Sequence, residues 1–166
     1  MNMETAAVQR KKSQAKGWIL FAAALLVLTA IACLFTFGLS VQVHSGNAME
    51  PSISSGDKLL VTHILYTPKK GDSVLAEYKP GQNFIKRIIA GPNDTVAIEQ
   101  GVTYVNGKAI DKPSSLSSDM KEITLPPEQY FLVGDNREVS IDSRMPEIGT
   151  FSEKEMKGKV LAVLPF

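Results

Sequence analysis

The sequence predicts a mainly β domain, a coiled antiparallel sheet or barrel-like assembly, preceded by one N-terminal transmembrane helix. Three observations carry this expectation. A charge-free apolar run extends from Gly17 to Val41. Beyond it, short apolar runs recur, each bounded by Gly, Pro, Asn or Asp. Among them lies Val105-Asn106-Gly107-Lys108, whose Asn-Gly pair supplies the two positive φ angles of a type I′ hairpin turn.

The apolar run comes first along the chain. It exceeds the roughly 20 residues that a helix needs to cross a bilayer core. It contains no proline, so a helix can satisfy every backbone group internally. A cleavable secretory signal has an apolar stretch of about 7–15 residues, which this run outstrips. A buried core helix would carry a polar face, and before Ser40 the run offers only Thr29 and Thr36. Arg10, Lys11, Lys12 and Lys16 precede it and favour an N-terminus held in the cytoplasm. The expected organisation is a basic cytoplasmic segment (1–16), a single membrane span (17–41) and an extracytoplasmic β-domain (42–166).

Within that domain the expected strands are Lys58–Leu65, Ser73–Tyr78, Asn83–Ile89, Thr95–Glu99, Val102–Val105, Tyr130–Val133 and Val160–Leu164. Turns are expected at Gly56-Asp57, Gly71-Asp72, Pro80-Gly81 and Gly91-Pro92-Asn93-Asp94. Many short strands with frequent turns suit a sandwich or barrel. Residues 111–121 have no apolar period and read as an exposed loop. Ser152, with Glu155 three residues on, matches a capping box for one helical turn over Ser152–Lys157.

Composition narrows the function. The formal net charge of +1 argues against a nucleic-acid partner. The one cysteine, Cys33, falls in the apolar run, so the β-domain has neither disulfide nor thiol nucleophile. His44 and His63 have no neighbouring metal-ligand spacing, and no metal or organic cofactor is expected. His44 reads as a solvated histidine at the membrane exit. Peptide-bond chemistry without histidine, thiol or metal requires an oxygen nucleophile and another base. A lysine serves only when neutral, and burial without a counter-charge brings its pKa towards about 7–8. Lys86 ends the apolar stretch Asn83-Phe84-Ile85, where period-two alternation puts Phe84 and Lys86 on one face and Ile85 on the other. Taken locally, such a lysine could equally snorkel to water.

Three segments then fall into a recognisable order. They are Gly46-Asn47-Ala48-Met49-Glu50-Pro51, Lys86-Arg87-Ile88-Ile89, and Gly134-Asp135-Asn136-Arg137 running to Ser140-Ile141-Asp142-Ser143-Arg144. With the anchor, they resemble the bacterial type I signal peptidases, membrane-bound serine proteases with a Ser–Lys dyad, in their short Gram-positive form. The family's Ser-Met-x-Pro motif stands here as Ala48-Met49-Glu50-Pro51, with alanine at the nucleophile position. The Gly-Leu-Pro-Gly-Asp that usually follows the lysine is degraded to Ala90-Gly91-Pro92-Asn93-Asp94.

The resemblance implies roles. Position 48 would be the nucleophile and its N–H part of the oxyanion hole. Lys86 would be the general base and Ser140 would orient it. Asp142 and Arg144 would pair to hold the last motif in shape, while Gly134 and Asn136 read as turn-formers. Met49, Phe84 and Ile85 would line shallow pockets for small residues. The implied partners are secreted preproteins with Ala-x-Ala-type signal peptides, and the lipid bilayer. Ala48 leaves two readings open: a peptidase disabled by loss of its hydroxyl, or a non-catalytic protein that binds signal peptides or secreted chains as an assembly factor or chaperone. Retention of Lys86 and Ser140 favours an active parent, and the irregular Ala90–Asn93 segment pulls the other way.

Overall fold

A computed structural model describes residues 3–164. The chain divides into two units, Met1–Gly38 and Leu39–Phe166. The first holds helix α1 (Met3–Cys33), which continues as a short π-helical stretch, Leu34–Gly38. Lys16–Gly38 is long and apolar enough to cross a membrane. Trp18, Leu20 and Leu26 stand exposed along it, as side chains bound for lipid would. The helical span ends three residues earlier than expected. Leu39–Val41 belong to a strand, because Leu39 and Val41 pair with Thr62 and Leu60, and that ladder satisfies their backbone in place of helix bonds.

The second unit is antiparallel β throughout. Its strands are β1 (Leu39–Val43), β2 (Lys58–Thr62), β3 (Ser73–Lys79), β4 (Gln82–Ala90), β5 (Thr95–Glu99), β6 (Val102–Val105), β7 (Lys108–Ala109), β8 (Met120–Thr124), β9 (Gln129–Val133), β10 (Phe151–Ser152) and β11 (Met156–Leu164). One sheet has seven strands in the order β1-β2-β11-β3-β4-β9-β10; the other has four, β7-β6-β5-β8. The last long strand is thus threaded between β2 and β3. Register shifts at Ile88/Ala90, Met156/Gly158 and Val160/Ala162 bend the larger sheet.

All seven expected strands form, with ends that differ by up to four residues. Asn106 and Gly107 both have positive φ, 51° and 72°, as the type I′ turn requires. The four other strands had no apolar run of their own. The expected loop over 111–121 ends two residues earlier, since Met120 and Lys121 open β8 and Met120 pairs with Ile98 of β5. Ser152 and Glu155 do form a capping box, over a single 3-10 turn, Glu153–Glu155. Met156 and Lys157 leave that turn at once to join β11.

Alternation on β4 and β9 divides the core. Ile88, Tyr130 and Leu132 pack with Val74, Ala76, Phe151 and Met156 on one face. Ile89, Phe131 and Val133 pack on the other against Val96, Ile98 and Val105 of the small sheet. Both faces of β9 are therefore covered, which explains its unbroken Tyr-Phe-Leu-Val run. A third cluster, Met49, Ile53, Leu59, Val61, Leu75 and Ile85, pins the loop after β1 onto β2, β3 and β4. Fully burying each such side chain contributes about 1.5–3 kcal/mol, so this loop is held as firmly as a core strand.

Candidate active site

The loop carrying position 48 leaves β1 at His44. The His44 N–H donates to the Asp57 carbonyl and the His44 carbonyl accepts from Gly56 N–H, both at 2.8 Å. Asp57 in turn caps the loop by accepting from Ser54 N–H at 2.8 Å. Met49 and Ile53, both buried, nail the turn from below. Met49 is 0% exposed and lies in the core, so it packs beneath the site and does not line its surface. Ala48 is left half-buried at the turn, its carbonyl accepting from Asn136 N–H at 3.0 Å.

A cleft of about 220 Å³ opens beside it. Residues 42–45 and Ala48 form one wall, Asn83–Lys86 the other, and Leu59 and Leu75 also line it. Both walls have free backbone edges. Among the described residues, strand β1 pairs only with β2, and β4 meets β9 only from Arg87 onward. A larger depression of about 490 Å³ lies near Glu50, Pro51 and Lys112, but Asp135 and Arg137 in its wall are already paired.

Lys86 sits in the inner wall and is 4% exposed, so it does not snorkel. Its Nζ lies 5.3 Å from the centre of the Phe84 ring, which places the two on one face of β4, while Ile85 joins the opposite core cluster. Nζ donates to Ser140 Oγ at 2.7 Å, and Ser140 is fully buried. Desolvation holds the Lys86 pKa below its ordinary value; the Asp142 charge opposes this and the Arg144 charge adds to it.

Behind Ser140 stands a buried ion pair. Arg144 grips Asp142 with two bonds, Nε to Oδ1 at 2.8 Å and Nη2 to Oδ2 at 3.0 Å. The pair is 1% and 0% exposed. Arg144 also donates to the Arg137 carbonyl at 2.9 Å and to Ser117 Oγ at 3.0 Å. Burial pushes the Asp142 carboxyl up, but Arg144, the Gly134 N–H and the Ser140 hydroxyl outweigh it and hold the pKa below the carboxylate range. The Ser140 hydroxyl therefore accepts from Lys86 and donates to Asp142. Arg144→Met would leave a buried charge unpaired and is expected to cost about 3–5 kcal/mol, seen as a fall in the chemical-denaturation midpoint. A double change of Asp142 and Arg144 to apolar residues should cost less than the single one.

Gly134 is more than a turn-former. A Cβ there would stand 2.2 Å from Ser140 Oγ and 2.4 Å from the Ala48 carbonyl oxygen. Only a hydrogen fits between the loop of position 48 and the hydroxyl that holds Lys86. Gly134→Ala is expected to destabilise by about 1–3 kcal/mol and to separate Ser140 from Lys86. The ammonium would then lose its acceptor, which a lysine-detected NMR titration would report as a moved Lys86 pKa.

Other partners escaped the sequence reading. Arg87 binds Asp135 through Nε at 2.7 Å and Nη2 at 2.5 Å, and Asp135 also takes a hydrogen bond from Ser52. Arg137 donates to the Gly134 carbonyl and, at 2.9 Å, to Asp111. Each ties the Gly134–Arg144 loop to a distant segment, and no local pattern announces such pairs. His44 differs most from expectation. It is 8% exposed, not solvated, and it is among the residues that border the cleft. The Asp57 and Gly56 backbone bonds draw it inward.

Residues 15–165 match the model of the family described as signal peptidase, peptidase S26. The chain belongs to this family. Among signal peptidase relatives, Signal peptidase I P of Bacillus subtilis subsp. natto is 31% identical over 167 residues, spanning 90% of this chain and 89% of its own. Signal peptidase IB of Staphylococcus aureus strain N315 is 28% identical over 173 residues, spanning 90% and 88%. A solved signal peptidase I from Enterococcus faecalis V583 is 25% identical, with a TM-score of 0.44, covering 60% of this chain and 100% of that one. Of the positions expected to form a signal peptidase site, Ala48, Lys86, Phe84 and Ile85 line one cleft and Ser140, Asp142 and Arg144 back it.

Proposed function

We propose that this chain is a membrane-anchored signal peptidase whose reaction centre is complete except for the nucleophilic hydroxyl. The observation that carries the reading is the buried Lys86 amine, held by Ser140 in the wall of the cleft that Ala48 borders. The free edges of β1 and β4 suit an extended peptide added as a strand between them. The peptide is the end of a signal sequence of the Ala-x-Ala type, its small side chains set against Phe84 and Ile85. The anchor leaves the N-terminus in the cytoplasm and the β-domain on the outer face of the cell membrane.

With serine at position 48, its oxygen attacks the scissile carbonyl and its proton passes to the neutral Lys86 Nζ. The N–H of residue 48 stabilises the oxyanion. The Lys86 ammonium, steered by Ser140, returns the proton to the leaving amine. Water, deprotonated by the same Nζ, then releases the acyl group. Asp142 and Arg144 position Ser140 and touch no substrate. With the methyl of Ala48 the first step has no attacking atom, and the chain binds without cutting.

The test is a paired assay in lipid, with the chain and its Ala48→Ser variant presented with one preprotein. Cleavage by the serine form alone supports the proposal. If a folded Ala48→Ser protein cuts nothing yet binds, the second reading stands, that of a non-catalytic holder of signal peptides or secreted chains. Ala48 itself is the observation that favours it.

A further inference from the structure

Asp111 lies in the segment that the sequence presents as an exposed loop, outside every motif, yet its side chain is only 7% exposed. A carboxylate so nearly desolvated persists when its oxygens are bonded. Oδ1 accepts from the Thr103 N–H of β6 at 2.7 Å, and Oδ2 accepts from Arg137 Nε at 2.9 Å. The backbone around it is seated as well. Ile110 N–H donates to the Thr103 carbonyl and Ser114 N–H to the Gly101 carbonyl, each at 3.0 Å. A Cβ on Gly101 would stand 2.7 Å from the Ser114 carbonyl oxygen, so the segment is pressed against the turn between β5 and β6.

The other end of this link reaches Gly134. Arg137 Nη1 donates to the Gly134 carbonyl, and the Gly134 N–H donates to Asp142 Oδ2 at 2.9 Å. Gly134 is thus gripped at both ends, its carbonyl by the Arg137–Asp111 pair and its N–H by the Arg144–Asp142 pair. The two pairs also meet, because the Arg137 carbonyl accepts from Arg144 Nη2 at 2.9 Å and from Ser114 Oγ at 3.1 Å. Gly134 is the residue with no room for a Cβ between the Ala48 carbonyl and Ser140 Oγ. A displacement there moves one or the other.

We propose that Asp111 is a positioning residue of the reaction centre: seated on β6 of the small sheet, it fixes Arg137 and through it Gly134, and so keeps Ser140 against Lys86 and beside position 48. Asp111 acts through these residues and touches no substrate. The proposal rests on the peptidase reading above, which supplies the reaction that the positioning serves. Without the Asp111 carboxylate the Arg137 guanidinium is free to turn to water, the Gly134 carbonyl loses its donor, and one of the two grips on Gly134 is gone.

Asp111→Asn tests this with the shape kept. The amide oxygen still accepts from Thr103 N–H, while the amide nitrogen is itself a donor and cannot take the Arg137 bond. In the full chain in lipid nanodiscs, an NMR titration should show the Lys86 pKa lowered by Asp111→Asn, because the ammonium loses the Ser140 oxygen that accepts from it. In the Ala48→Ser background, kcat on an Ala-x-Ala preprotein should fall by up to about 100-fold with KM little changed. Arg137→Gln cuts the same link from its other end. It should reproduce both effects, and the double variant should be no worse than either single one. A merely structural Asp111 would lower the denaturation midpoint yet leave the Lys86 titration and the kcat of the folded protein unmoved. That result overturns the proposal, as does a double variant whose losses multiply. If Asp111→Asn does not fold, Arg137→Gln decides by the same two readouts. If Ala48→Ser cuts nothing while the Lys86 titration responds as stated, the peptidase reading fails and the positioning of Lys86 through Asp111 stands.

Discussion

Ala48→Ser is expected to turn this chain into an endoprotease, raising cleavage of an Ala-x-Ala preprotein by on the order of 10⁶-fold, the cost of losing the nucleophile in another serine protease. The size of the gain follows from how little else must change. The position-48 loop is fixed by Met49 and Ile53 below and by the Asn136 and Gly56 backbone bonds at its sides. A serine side chain adds one oxygen at a half-buried position. The carbonyl of residue 48 already bonds Asn136, so its N–H and side chain are presented in one orientation. Single-turnover gel assays with purified protein in lipid would measure the rate. A gain of only tenfold would show that the surviving site has drifted and that the binding reading is correct.

In the serine-restored background, Lys86→Met should abolish the gain. Loss of a general base costs about 10²–10⁴-fold, and residues acting as one unit with the nucleophile lose nearly the whole acceleration. Lys86→Arg should be equally inactive, since a guanidinium keeps the charge and cannot give up its proton. The active serine form should show kcat/KM rising with pH through the lowered Lys86 pKa, and neither lysine variant should show that limb.

Stability moves with the same proton. The unfolded chain titrates Lys86 near the ordinary lysine value of 10.5, and the folded chain below it. Between the two the unfolded state holds more protons, so folding gains as pH rises through that window. Below the folded value the cost of burying the ammonium is fully present. Lys86→Met removes that cost, so its Tm relative to the parent should be most favourable near neutral pH and decline towards pH 10.5. Thermal melts across that range would check the slope. An unchanging difference would mean that Lys86 is not desolvated.

The fold was readable where side chains alternate or run apolar, as on β3, β4 and β9. It was unreadable where a strand exists only because a partner is present. Strand β1 is written as the tail of an apolar helix, and only its ladder to β2 ends the span at Gly38. Lys121 and Glu122 of β8 are exposed, so nothing in their local pattern signals a strand. The site was legible as ordered motifs, which named Lys86, Ser140, Asp142 and Arg144. Their environment was not. Burial of His44, the retreat of Met49 into the core and the tight passage at Gly134 are products of segments far apart in the chain.

The threading of β11 between β2 and β3 sets an order of events during synthesis. Leu59 and Leu75, which line the cleft, belong to strands joined only through β11. Lys86 meets Ser140 across 54 residues. Contacts of such separation form late, after the loops between them have closed. A ribosome-bound chain whose β11 has not yet emerged has the helix, the lysine and the position-48 loop, yet no cleft. The candidate site is therefore assembled only when β11 takes its place between β2 and β3, so a serine-restored version would gain cleavage only after that strand is added.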